Sequence, residues 1–119
     1  LQLLESYLRW TIQRHRNNPY LLRFYTSELT NPTAFFPAIV APAISKVIRV
    51  LSDVIEDGIQ QGVFRKEINA VNASLALAGM VNYFFLSLLA TESLISHSPE
   101  QDEQLVQHYL LIFRRGIIG

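Results

Sequence analysis

From Ile68 to Thr91 the chain carries no charged side chain: INAVNASLALAGMVNYFFLSLLAT. A helix that is apolar all round has to be covered all round, so this run constrains the architecture more than any other feature. Its length is enough to cross a bilayer, which takes about 20 mostly apolar residues. Its content argues otherwise. Asn72, Ser74, Asn82 and Ser87 interrupt it, and Ala and Gly supply much of the remainder. Arg65, Lys66 and Glu67 precede it and Glu92 follows, so the flanks show no clear positive-inside bias. The run reads as a helix over about 70 to 95 that protein covers, and no membrane partner is expected.

The other segments supply part of that cover. Leu1, Leu4, Leu8 and Ile12 form a helical stripe over residues 1 to 16, widened by Leu3, Tyr7 and Trp10. The stripe starts at once, which suggests that a preceding part of the protein lies outside this sequence. Asn18-Pro19 predicts the next start, with Asn18 as cap and Pro19 at the first helical position. Asn31-Pro32 ends that helix, because the residue before a proline is pushed out of helical geometry. A long amphipathic segment follows over roughly 34 to 61. Ile44, Val47, Ile48, Leu51, Ile55 and Ile59 lie on one side, and Lys46, Arg49, Asp53, Glu56 and Asp57 on the other. This helix begins near Pro42, or begins earlier and is kinked there. Gly62 is its expected left-handed cap. Asn69 caps the charge-free helix. Ser98-Pro99-Glu100-Gln101 opens a final helix that runs to about Arg115 and stops at Gly116. The fold class is all-α, with five helices in one domain.

The last two helices carry more apolar surface than one small domain can hide. Leu105, Tyr109, Ile112 and Gly116 form one line on the fifth helix, and Val106, Leu110, Phe113 and Ile117 form another. Leaving half a dozen large side chains wet would forfeit roughly 1.5–3 kcal/mol each, against a domain stability of about 5–15 kcal/mol. A two-fold homodimer whose last two helices build an intersubunit four-helix bundle removes the conflict. Leu77, Val81 and Leu88 on the fourth helix, with Leu105, Tyr109, Ile112 and Phe113 on the fifth, are the expected interface.

Composition excludes several activities. Ten basic residues balance ten acidic ones among 119, so this chain lacks the basic excess of a nucleic-acid-binding domain. It has no cysteine, which removes thiolate chemistry and fits a reducing compartment, the cytoplasm. His15, His97 and His108 follow no metal-ligand spacing, and HExxH is absent. No glycine-rich phosphate loop or nucleophile elbow occurs. Asp53, Glu56 and Asp57 cluster on the polar side of their helix, where solvated charges belong. No catalytic residue, metal or cofactor is expected.

The order NNPYLLRFYTSEL, then IEDGIQQGVFR, then EINAVNASLALAGMVNYFFL, then a last amphipathic helix resembles the C-terminal domain of TetR-family bacterial transcriptional regulators. Asn18-Pro19, Glu28 and the segment Gly58, Gly62, Val63, Phe64, Arg65 are the most family-like features. The family's N-terminal helix-turn-helix domain is absent from residues 1–119. The resemblance implies a ligand-sensing and dimerisation domain whose small, apolar or aromatic effector sits among the first four helices. DNA would be reached only through the missing domain, whose two copies must stand about 34–36 Å apart to read two half-sites.

The aromatic residues of the first four helices are the candidates for that pocket. They are Tyr7, Trp10, Phe24, Tyr25 and Phe35, joined by Leu51, Met80, Tyr83 and Phe84. Plain core packing is the competing role for each. Asn82, a polar group in the middle of the charge-free helix, needs a partner: a ligand, a dimer contact or a neighbour in its own core. Arg23 and Glu28 are further candidates for a ligand's polar end, against a solvated face or a local salt bridge. The alternative to a sensing domain is a helical homodimeric interaction module with no small-molecule pocket.

Overall fold

A computed structural model describes residues 1–88 and 98–118. Among these, five α-helices form: α1 (Gln2–Asn17), α2 (Pro19–Thr30), α3 (Ala41–Gln60), α4 (Ala70–Leu86) and α5 (Pro99–Ile117). A π-helical turn, Phe36–Val40, leads directly into α3.

Helix α1 lies centrally, touching all four other helices. It buries Leu4, Leu8, Thr11 and Ile12, one stripe at helical spacing. Glu5 in its first turn and Arg14, His15 and Arg16 in its last complement the helix dipole. Pro19 opens α2 as expected, but the Asn18 side chain makes no capping bond. Instead the Asn18 carbonyl accepts from the Leu21 amide at 3.2 Å. The α2–α3 connection is held by Glu28, buried despite its charge. Its carboxylate accepts from the Thr33 amide at 2.7 Å and from the Thr33 hydroxyl, which closes the turn around Pro32.

The third helix starts before Pro42 rather than at it. Pro42 has no N–H, and its ring would crowd a carbonyl of the preceding turn. Winding residues 36–40 as a π turn widens the spiral at that point, and the Ala41 amide bonds back to the Phe36 carbonyl. At the other end Gly62 takes φ +78, the left-handed value only glycine adopts cheaply. The chain then doubles back so that the Val63 and Phe64 amides both donate to the Gly58 carbonyl, at 2.9 and 3.0 Å. The Phe64 ring lies against Gly58, where any Cβ would come within 2.2 Å of it. Arg65 continues the tie, its amide donating to the Ile117 carbonyl at 2.8 Å.

Asn69 caps α4, accepting from the Asn72 amide at 2.9 Å. The helix ends at Leu86, sooner than the apolar run suggested; residues 89–95 of the expected span lie outside the described residues. The Ser87 hydroxyl donates to the Phe84 carbonyl at 2.9 Å, offering the backbone an alternative to continued winding. No described helix is long and apolar enough to cross a membrane. Ser98 caps α5 through the Gln101 amide at 3.1 Å. Gly116 does not stop α5, which runs through it to Ile117.

The core joins Leu4, Leu8 and Ile12 to Leu51 and Ile55, Phe64, Leu77 and Val81, and the α5 line Val106, Leu110, Phe113 and Ile117. Buried Ser74 lets α3 and α4 approach closely, its hydroxyl meeting Ser52 Oγ at 3.1 Å and the Ala70 carbonyl at 2.7 Å. The assembly is a slab of 39 × 36 × 19 Å, thin enough that α4 and α5 have a covered and an open side.

Candidate functional site

Helices α1 to α4 enclose a cavity of about 110 Å³. From α1 come Tyr7, Trp10, Thr11, Arg14 and His15; from α2, Leu21, Leu22 and Tyr25. Helix α3 contributes Ala43, Ile44, Val47 and Ile48, and α4 contributes Ala78 and Asn82. The α3 residues follow from its amphipathic period, which turns Ile44, Val47 and Ile48 onto one side. Ala78 keeps the α4 wall thin opposite them.

Several polar groups interrupt this apolar lining. His15 Nε2 lies 2.7 Å from Asn82 Oδ1; the ring nitrogen donates and the amide oxygen accepts. The other ring nitrogen, His15 Nδ1, is buried with no hydrogen-bond partner. Burial holds the His15 pKa below that of an ordinary histidine, and the nearby Arg14 charge acts the same way, while the bond to Asn82 opposes them. The ring is thus neutral at pH 7, with Nδ1 an acceptor lone pair. Thr11 Oγ1 is likewise buried without a partner at hydrogen-bonding geometry, although the Tyr7 hydroxyl is close enough to feel it. Burial pushes the Tyr7 phenol pKa up, so this group stays protonated. On the open side Trp10 is half-exposed, and the Arg14 guanidinium sits 4.9 Å above its ring, a cation–π contact. The Phe85 ring lies 4.8 Å from that of His15 and braces it.

Of the aromatic candidates, Tyr7, Trp10 and Tyr25 line this cavity. The others stand elsewhere. Leu51 is in the core. Phe24 and Phe35 pack edge-on to each other, 6.1 Å apart, on an exposed surface. Tyr83, 69% exposed, faces outward from α4. Met80 is half-buried on α4 without reaching the cavity wall, and Phe84 contacts Phe85. Glu28 is committed to Thr33, and Arg23 is exposed. Asn82, whose partner the sequence left open, pairs with His15 of its own chain.

Thr11 and His15 are not among the sequence candidates, yet half-buried His15 continues the buried stripe of Leu4, Leu8 and Thr11 at steps of three and four. That spacing was the available signal.

The expected interface residues divide in the same way. Leu77 and Val81 are completely buried within the subunit, and Phe113 nearly so; the chain's own core occupies the side they face. Leu88, Leu105 and Tyr109 are half-buried and Ile112 is 61% exposed. The open apolar side of α4 carries Val71, Leu75, Tyr83 and Leu86 instead, a stripe rotated away from Leu77 and Val81.

A larger, shallow groove of about 450 Å³ runs between α1 and α5. Its charged residues satisfy one another: Arg16 grips Asp102 at 2.7 Å, and Arg9 bridges Glu5 and Glu103. Such pairs tie the two helices together and offer a ligand little. No group of three or more potential metal-binding side chains occurs among the described residues.

A family model described as tetracyclin repressor-like, C-terminal domain, matches residues 1–114. No curated protein matches the chain. The family match spans all five helices nearly to the end of α5, including the Gly58–Phe64 turn and the cavity, so the chain belongs to the tetracyclin repressor-like C-terminal domain family.

Proposed function

We propose that this chain is the effector-binding and dimerisation domain of a TetR-like transcriptional regulator. A mostly apolar cavity walled by four helices, with Thr11, His15 and Asn82 among its lining residues, is the observation that carries the reading. Ligand sites place a few polar groups in an apolar pocket. Tyr7, Trp10, Thr11, Arg14 and His15 all come from α1. A ligand therefore presses on α1 together with α2, α3 and α4. It controls DNA binding only through unequal affinity for two arrangements of the paired heads.

A homodimer is the matching quaternary state. Val71, Leu75, Tyr83 and Leu86 on α4 and Leu111 and Ile112 on α5 supply apolar surface for it. A screen of small aromatic compounds by amide chemical-shift perturbation tests the sensing role. Shifts clustered on Thr11, His15, Val47 and Asn82 are the expected result. The rival reading, a dimeric interaction module without a small-molecule site, draws on the cavity's small volume; it wins if no compound shifts those amides at millimolar concentration.

A further inference from the structure

We infer that the cavity takes a single-ring aromatic carboxylate, its ring inside and its carboxylate held at the open edge by Arg14. The inference rests on the cavity being the effector site and names the chemical class that site accepts. Trp10 and Arg14 both line the cavity. They lie four residues apart on α1, hence side by side on one helix face. Trp10 is half-exposed, which puts the pair where the cavity opens. The half-buried Arg14 guanidinium sits over the indole, 4.9 Å from the ring centroid. The indole offers the guanidinium's N–H donors no acceptor atom. Among the described residues, the Arg14 side chain forms no ion pair and no hydrogen bond, whereas Arg9 and Arg16 are each paired with carboxylates. The N–H fork of Arg14 is therefore open to the two oxygens of a carboxylate.

The rest of the lining agrees in charge and in size. Among the described residues, no aspartate or glutamate lines the cavity, so an entering carboxylate meets a cation and no like charge. An ammonium would meet the Arg14 charge with no counter-ion beside it. A neutral head group would gain less, because hydrogen bonds to an ionised acceptor are about twice as strong. The enclosed space, about 110 Å³, is smaller than the apolar cavity of about 150 Å³ that holds benzene. That limits the guest to one ring and directs its head group outward, past Trp10. Leu21, Leu22, Ile44, Val47 and Ile48 supply the apolar walls for the ring.

The structural competitor is an Arg14 that only braces Trp10 and otherwise faces water. Titration of the 119-residue chain with benzoate, benzyl alcohol and benzylamine, followed by amide chemical shifts, separates the two. Benzoate should bind about tenfold more tightly than benzyl alcohol, with shifts centred on Trp10, Arg14 and Val47, and benzylamine should bind most weakly. Arg14→Gln keeps a polar head but removes the charge and the fork. It should lower benzoate affinity to that of benzyl alcohol and leave benzyl alcohol unchanged. The ranking of the three compounds on the wild type carries the test alone if that variant does not fold. Benzyl alcohol or benzylamine matching benzoate at those amides overturns the carboxylate inference, while the effector site stands. A benzoate preference that survives Arg14→Gln, or benzoate shifts confined to residues outside the cavity, overturns it as well. Binding of none of the three removes both this inference and the sensing role.

Discussion

The two sides of α4 are almost equally apolar and have opposite fates. Ser74, Leu77 and Val81 point inward and are completely covered by α1, α3 and α5. Val71, Leu75, Tyr83 and Leu86 point outward and are 42–69% exposed. Hydropathy alone states that such a helix must be covered; it does not state by what. The slab geometry makes the division. Among the described residues, one layer of neighbours covers the inward side alone.

Substitutions on the two sides should therefore behave differently. The largest effect belongs inside. Leu77→Ala should cost about 2–5 kcal/mol, since the cavity it leaves is walled by rigid neighbours; urea denaturation measures it. A loss no greater than that of an outward Leu75→Ala would erase the distinction. Gly58→Ala comes next, at about 1–3 kcal/mol, because the new methyl collides with the Phe64 ring that plugs the inner side. If melting temperature is unchanged by this substitution, the Phe64 turn does not hold the core as described.

Outside, the expected signature is concentration. A dimer's melting temperature rises with protein concentration through mass action. The wild type should show that rise, and Leu75→Glu should not. A wild-type melting temperature independent of concentration would mean that the outward stripe contributes nothing to stability.

The smallest effect concerns the cavity. His15 has a depressed folded-state pKa, so below about pH 6.5 the unfolded chain binds the proton more readily. Its contribution is fully present above pH 6.5 and is lost as pH falls through the folded value. Melting temperature should decline across that interval, and His15→Gln should flatten the decline. An identical slope in the variant would detach His15 from the pH response.

Much of this fold is legible in the sequence. Asn69 and Ser98 cap their helices as their spacing predicts, and Gly62 takes the left-handed turn. Other signals misled for physical reasons. Gly116 resembles a stop, but α5 winds through it to Ile117, whose carbonyl accepts from the Arg65 amide. Asn18 stands where a cap belongs, yet its backbone carbonyl does the work. The cavity was the least legible part, because a wall residue and a core residue are chemically the same. Leu51 and Tyr25 both read as pocket candidates, and only packing separates them. Thr11 and His15 show how polar residues on a buried stripe can mark such a place. The inward or outward facing of Leu77 and Leu75 was similarly hidden, since a helix apolar on all sides gives periodicity nothing to register.

Sedimentation equilibrium at micromolar concentration tests the central claim most directly, on the wild type and on Leu75→Glu/Tyr83→Glu. The account predicts twice the 13.6 kDa chain mass for the wild type, and 13.6 kDa with unchanged helical circular dichroism for the variant. A wild-type mass of 13.6 kDa, or a double variant that remains dimeric, would contradict it.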